Sequence, residues 1–189
     1  MSCFKGKSSN FMNKFISKMK LTQLTIFWCL ILFLFSVAQS QPLTKYVVSA
    51  NSFGSVKIGM TISQASKVLS IRLVREDGYE GNCYYVKPIR GFKGIGFMMS
   101  GKRIARIDID SQQYTTANGA RLGSSEAQIK RLYKGQIKIS QHSHVDSGHY
   151  LIVTPTNSTH KIIFETDGKK VTTFRVGKYP EVGFIEGCS

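Results

Sequence analysis

Acidic residues are scarce in this chain of 189 residues, which has 11 Asp and Glu against 26 Lys and Arg and a formal charge of +15. This imbalance excludes a nearly neutral protein and favours acidic partners. Long apolar runs are also scarce. Only one, from Leu21 to Ala38, is present, so a multi-span membrane protein is excluded. With 42% hydrophobic residues, the chain is neither disordered nor collagen-like.

Complete catalytic motifs are missing as well. Residues 96–102 fit the first seven positions of a phosphate-binding P-loop, but Arg103 stands where Ser or Thr would bind magnesium. No Gly-x-Ser-x-Gly nucleophile elbow occurs. We therefore expect no cofactor, and the sequence does not favour an enzyme.

The N-terminal region has the order of a secretory signal peptide. Five lysines precede an apolar core at residues 26–35, and Ala38-Gln39-Ser40 supplies small residues at the two positions that a signal peptidase reads. We expect residues 1–40 to be removed, with Gln41 as the first mature residue, and the protein to be exported to the periplasm or secreted. An uncleaved signal anchor is the alternative, although the strongly apolar stretch is short for a membrane span.

The mature chain remains basic. Removal of residues 1–40 takes away five lysines and no acidic residue, which leaves 21 basic and 11 acidic residues and a net charge of +10. Such a charge suits another protein or an anionic envelope component, and outside the cytoplasm nucleic acid is not an expected partner. Membrane contact is expected only through the signal segment before cleavage.

Cysteine is rare, and its positions are informative. Cys3 and Cys29 lie in the signal peptide, so the mature chain retains only Cys83 and Cys188. Two thiols in an oxidising compartment predict one disulfide, which closes a loop of about 105 residues. We also expect the tail segment 182–185 to lie as a strand beside residues 84–86, because bridged Cα atoms are close together.

Two stretches of the chain resemble each other at an offset of 64 to 67 residues. Each stretch has an aliphatic residue followed by Gly, then a hydroxyl residue, and then Gln three positions after the hydroxyl residue. The hydroxyl residue and Gln are Thr61 and Gln64 in the first stretch, and Ser125 and Gln128 in the second. Both pairs predict a capping box at the start of a helix. Apolar residues then follow at helical spacing, so both helices should pack against a partner surface.

The similarity continues into two predicted hairpins, at residues 97–109 and 164–176. Ser100-Gly101 and Asp167-Gly168 supply turn residues, and alternating apolar residues follow each turn. We therefore predict an α+β fold made of two tandem α-β-β-β units, residues 41–113 and 114–189, whose helices pack on antiparallel sheet within one domain.

In both stretches a tripeptide, Gly-Met-Thr or Gly-Ser-Ser, leads into a short amphipathic helix and then a meander of strands. This pattern resembles the helix-plus-sheet unit of the β-lactamase-inhibitor-protein fold. The pattern is also similar to the small outer-membrane assembly lipoproteins of the SmpA/OmlA type. The resemblance covers residues 56–72 and 120–133 and the strands in outline. It implies a tandem helix-plus-sheet fold and transfers no binding residue.

One cluster offers metal chemistry as an alternative. Three of the four histidines and one carboxylate lie close together in the chain, at His142, His144, Asp146 and His149. They resemble the His-x-His-x-Asp-His signature of metallo-β-lactamase-like hydrolases, but His149 falls three residues after Asp146 where that motif needs the next residue. A small metal-dependent hydrolase is therefore the rival hypothesis, and a solvent-facing loop that binds no metal is the simpler interpretation.

The function that the sequence favours is an exported, non-enzymatic binding protein, such as a protein inhibitor or an envelope-assembly factor. A glycan-binding module that uses lysines and aromatic residues is a third possibility. The candidate contact residues are aromatic, and half of them should be structural because one face of each strand must be core. These candidates are Tyr84, Tyr85, Tyr114 and Tyr150. The sequence leaves the oligomeric state open.

Overall fold

The computed structural model describes residues 46–188. The predicted signal peptide and its cleavage site lie outside these residues. The described chain opens with three short strands that form their own antiparallel meander. These strands are β1 (Val48–Ser49), β2 (Ser52–Phe53) and β3 (Val56–Lys57).

Two short helices each precede a run of four strands. Helix α1 (Ile62–Leu69) is followed by β4 (Leu73–Arg75), β5 (Cys83–Pro88), β6 (Ile95–Ser100) and β7 (Arg103–Ile109). Helix α2 (Glu126–Leu132) is followed by β8 (Ile137–Gln141), β9 (His149–Val153), β10 (Lys161–Thr166) and β11 (Val171–Gly177). A single 3-10 turn, Glu181–Gly183, lies in the C-terminal tail.

The eight longer strands form one antiparallel sheet in the order β4-β5-β6-β7-β11-β10-β9-β8. The two halves of the chain meet where β7 pairs with β11, in a register that places Ile107 opposite Val176 and Ile109 opposite Phe174. The α+β fold is thus as predicted. Each helix is followed by four strands rather than three. Strand β4 has only three residues and shows no clear alternation, whereas β8 does alternate, with Ile137 and Ile139 separated by Lys138, and its pattern is a signal that the prediction of three strands misses. The tandem duplication stays a hypothesis.

Side-chain caps start both helices. In α1 the Thr61 hydroxyl accepts from the Gln64 amide at 3.3 Å, and the Thr61 amide donates to the Gln64 side chain at 2.9 Å, which completes the predicted capping box. In α2 the Ser125 hydroxyl accepts from the Gln128 amide at 3.1 Å, which is the first half of such a box. Both predicted hairpin turns also form, with Gly101 and Gly168 at positive φ.

One hydrophobic core lies between the sheet, the two helices and the small meander. It contains residues of both halves, among them the fully buried Phe53, Phe97, Phe164 and Phe174. The rings of Phe164 and Phe174 lie 5.2 Å apart between centroids, and Tyr114 packs edge-on against Phe53 at 5.0 Å. We call the opposite side of the sheet the open face; it carries the alternate residues, including Tyr85, Arg106 and Arg175.

Candidate binding groove

The C-terminal tail crosses the open face. After β11, Val182 of the 3-10 turn packs against Tyr150 and Ile163 in a second, smaller hydrophobic cluster. The chain then reaches β5, where Cys188 is bonded to Cys83 with their Cα atoms 5.4 Å apart. The predicted disulfide is therefore present. The predicted tail strand is wrong, because the tail makes a 3-10 turn and approaches β5 only at its last residues.

Two buried arginines hold the tail by its backbone. Arg106 donates to the carbonyl oxygens of Glu181 and Phe184, and Arg175 donates to the carbonyl of Val182 at 2.7 Å. A tail without ladder partners needs such donors, since buried carbonyl groups are costly when unpaired. The two arginines therefore replace the hydrogen bonds that a strand would have made.

The same arginines are neutralised on the open face. Arg106 binds one carboxylate oxygen of Asp108 through two nitrogens, at 2.6 and 2.8 Å, and Arg175 pairs with Glu165. The second Asp108 oxygen, Oδ2, is buried and accepts no hydrogen bond from the described residues. Tyr85 lies beside this carboxylate, and burial, followed by the Asp108 charge, raises the pKa of the Tyr85 phenol. Tyr85 thus remains a neutral phenol at all ordinary pH values.

Gly96 leaves room for the Tyr85 ring. A Cβ atom at Gly96 would lie 3.3 Å from the Tyr85 ring, so the absence of a side chain at this position lets the ring lie against β6. The far end of the Tyr85 ring meets the tail at Gly187, where a Cβ atom would lie 3.0 Å from the phenol oxygen. Tyr85 therefore packs between β6 and the tail.

A cavity of about 790 Å³ follows β5 on the open face. We call it the groove; its lining includes Tyr79, Tyr85, Lys87, Arg90, Asp108 and Ile185. Tail residues 185–187 border it near the start of β5, and the β5–β6 loop, residues 89–94, borders it near the end of β5. Along the chain its lining runs from Tyr85 to Ile89, and five extended residues span about 14 Å, which gives the length of its floor.

The β5–β6 loop has a defined shape. Gly94 has a φ of +72°, and a Cβ atom there would lie 2.2 Å from the Asp110 carbonyl oxygen, so only glycine fits. The Gln113 side chain donates to the Lys93 carbonyl at 3.1 Å. These contacts hold the loop and leave the side chains of Ile89, Arg90 and Lys93 exposed.

The four predicted aromatic contact residues divide between core and groove. Tyr85 lines the groove, whereas Tyr84 packs against the core with the Arg75 guanidinium 4.0 Å above its ring. Tyr114 and Tyr150 are only 3% and 6% exposed. Both are structural residues and do not offer the contact surface that the sequence suggested, because Tyr114 faces the core and Tyr150 lies beneath the tail.

The predicted histidine cluster is dispersed. His142 stacks on Tyr150 and lies 3.4 Å from Glu165, while His144 contacts Glu186 at 2.7 Å. His149 binds Glu126 at 2.7 Å. Each histidine thus has a different glutamate, and no group of three or more potential metal ligands converges within residues 46–188.

Asp146 also stays apart from the histidines. Its side chain is exposed, and its backbone carbonyl accepts from the Gln141 side chain at 2.5 Å. The metal-hydrolase hypothesis required Asp146 and the three histidines to meet at one point. The turn between β8 and β9 instead directs them to separate partners.

Sequence reasoning missed the most buried charges of the open face. Each arginine has apolar residues on both sides in its strand, Ala105 and Ile107 around Arg106 and Phe174 and Val176 around Arg175, and this interruption is a signal that could have marked them. A charged residue is seldom fully buried without a partner, so each predicts both an ion pair and a covering segment.

The described residues contain no helix long and apolar enough to cross a membrane. Comparison with known proteins adds no relative, because no family model, no curated protein and no solved structure matches the chain. The groove must therefore be interpreted from its own chemistry.

Proposed function

We propose that the protein is an exported, non-enzymatic binding protein that uses the groove to hold a segment of another protein. The observation that carries this proposal is the groove itself, which is preformed by a bonded tail and a fixed loop. A site held in shape before binding loses little freedom when a partner arrives. The Cys83–Cys188 bond accords with an oxidising compartment outside the cytoplasm.

The exposed apolar residues support the same role. Ile89 on the loop and Ile185 on the tail are 54% and 43% exposed, and both line the groove. Large apolar side chains beside a concave surface are typical of contact sites between proteins. The resemblance to β-lactamase-inhibitor proteins and to SmpA/OmlA-type lipoproteins also favours a binding role, as an expectation from pattern alone.

Site-specific photo-crosslinking tests the proposal. A benzophenone amino acid is placed at Ile89, at Ile185 and, as control, at Val68, which is similarly exposed at 42% but lies on α1 and does not line the groove. The full chain is expressed in its native host and irradiated. We expect covalent adducts from both groove positions and none from Val68, and the captured protein should then bind purified mature protein directly.

Two results would contradict the proposal. One is the absence of adducts from both groove positions when the variants are exported and bonded normally. The other is an equal pattern of adducts from Val68, which would indicate contact without a defined site. In either case the groove is not the binding surface.

A further inference from the structure

We infer that the groove takes an extended protein segment that carries both carboxylates and large aliphatic side chains. This inference rests on the proposed function and adds the chemistry of the partner. It also gives the segment a direction, with its carboxylates at the β5–β6 loop and aliphatic side chains along the groove toward the tail.

The shape of the groove favours an extended chain. Along the chain its floor runs from Tyr85 through Lys87 to Ile89, which spans about 14 Å and matches about five residues of extended polypeptide. Tyr85 on this floor is ordered by its contacts with Gly96 and Gly187. A segment of this length would contact both the loop and the tail.

Aliphatic character is present at both ends. Of seven exposed large hydrophobic side chains in the described residues, three lie on these two elements, namely Ile89, Phe184 and Ile185. A glycan ring could stack on Tyr79 or Tyr85, but neither a glycan nor an anionic lipid headgroup would use the aliphatic side chains of Ile89 and Ile185 at the two ends. A protein segment can use both ends at once.

The distribution of unpaired charges around the groove indicates the direction of the bound segment. Within the groove Lys87 pairs with Glu76 at 2.6 Å and Arg106 pairs with Asp108, so these four residues are neutralised. Arg90 and Lys93 on the loop form no ion pair with any described residue, and Asp110 is the one lining carboxylate near them.

The positive charge is confined to the loop end. Arg90 and Lys93 both lie on the loop and line the groove there. The tail end carries Glu186 instead. Carboxylates of the bound segment should therefore lie against Arg90 and Lys93, and the net charge of +10 on the mature chain would attract the same partner over longer distances.

Defined peptides test this inference on the mature, disulfide-bonded protein. The probe is a fluorescein-labelled peptide of about ten residues, twice the length that the groove holds, with glutamates at one end and leucines and valines after them. Matched peptides carry lysine in place of glutamate, or serine in place of leucine and valine. Affinity is measured by fluorescence anisotropy at physiological salt, where non-specific attraction is screened.

Two double variants separate a local contact from general attraction. Arg90→Glu with Lys93→Glu changes the loop, and Lys169→Glu with Lys170→Glu makes the same change in net charge in the exposed β10–β11 turn. We expect the loop variant to lose about ten-fold or more in affinity for the acidic peptide, and the turn variant to lose less than about two-fold. Ile89→Asp should weaken binding as strongly as the loop variant, and the two matched peptides should bind weakly.

Several outcomes would overturn the inference. They are equal binding of the glutamate and lysine peptides, equal losses in the two double variants, or no peptide binding together with loop-dependent binding to phosphatidylglycerol vesicles, which would assign the cations to a lipid headgroup. Photo-crosslinking keeps the two proposals distinguishable. If Ile89 still captures a protein while acidic peptides fail, only the chemistry inferred here is wrong; if Ile89 and Ile185 capture nothing, the proposed function fails.

Discussion

Glu126 shows how a single residue fastens a helix to the sheet. It lies in the first turn of α2 and is buried, with its carboxylate accepting from the Thr166 hydroxyl at 2.6 Å and binding Lys130 at 3.1 Å and His149 at 2.7 Å. Burial acts to raise the pKa of Glu126, but the bonds to Thr166, His149 and Lys130 outweigh it, and the pKa lies below its ordinary value of 4.5.

The lowered pKa of Glu126 predicts a pH-dependent loss in Glu126→Gln. Because the folded chain binds the proton more weakly than the unfolded chain, the stabilisation is full at neutral pH and is lost as the pH falls through the folded pKa. We expect the variant to lose about 1 to 3 kcal/mol of unfolding free energy at neutral pH, and less at about pH 3, which lies below the pKa of the carboxyl in the unfolded chain. Urea unfolding at both pH values measures this.

Glu76→Gln is the matched control, since Glu76 makes an ion pair with the half-exposed Lys87 and should change stability by less than about 1 kcal/mol. An equal loss in Glu126→Gln at both pH values would show that the carboxylate charge is not responsible.

At the scale of single residues, the sequence predicts that side chains alternate between the two faces of a strand. It does not predict which face is the core or which segment covers a given side chain. Tyr84 and Tyr85 are neighbours in one strand, so alternation places one in the core and one on the open face. Alternation alone does not tell which is which. It also could not place Tyr150 beneath the tail, because that contact depends on how the chain turns after Gly177.

The C-terminal tail is the element on which the groove depends. It has no ladder partners, and its exposed segment from Phe184 to Glu186 lies between two attachments, the 3-10 turn around Val182 and the bond at Cys188. If the bond is removed, the arginine contacts still hold residues 181–184, but beyond them the only hydrogen bond left among the described residues is the exposed one between His144 and Glu186. Tail residues 185–187, which form one wall of the groove, should then no longer be held in place, while the sheet remains folded.

Cys188→Ser tests this dependence. In the chain-entropy model, loss of a loop of about 105 residues costs about 4 to 5 kcal/mol, which should lower the melting temperature by roughly 8 to 20 °C. We expect proteolysis to trim the tail beyond Phe184, circular dichroism of the sheet to be retained, and photo-crosslinking from Ile185 to disappear.

Cys83→Ser should behave in the same way, because either change breaks the same bond. If the tail of Cys188→Ser stays protected from protease and Ile185 still forms adducts, the bond is not what holds the wall.

Element boundaries divide into those that local chemistry specifies and those that it does not. Thr61 with Gln64 and the Asp167-Gly168 turn are local signals, and the structure contains the predicted cap and hairpin. Strand β4 has three residues and the tail has no period, so neither has a local signal. Strand β4 is fixed by its pairing with β5, and the tail is fixed by a distant part of the chain, through the bond from Arg106 to the Glu181 carbonyl.

At the scale of the molecule, the two halves of residues 46–188 share one sheet and one core. The pairing of β7 with β11 makes the sheet continuous, and the hydrophobic core includes residues of both halves. The similarity within the sequence predicts the elements of each half. It does not predict that the halves join along β7 and β11, because a unit with a free edge could equally pair through its other edge strand.

This continuity predicts a single unfolding transition. Ile107→Ala in the first half and Phe174→Ala in the second should each cost about 2 to 5 kcal/mol, since both side chains are fully buried at the β7–β11 junction. Because the core is shared, each change should lower the protection of backbone amides in both halves by the same free energy, as measured by hydrogen exchange under native conditions. Ile89→Ala, at an exposed site, should change this free energy of protection by less than about 0.5 kcal/mol. Two separate calorimetric transitions, or a Phe174→Ala variant in which the strands β5 and β6 keep their full protection, would mean that the halves fold independently and that their shared core contributes little.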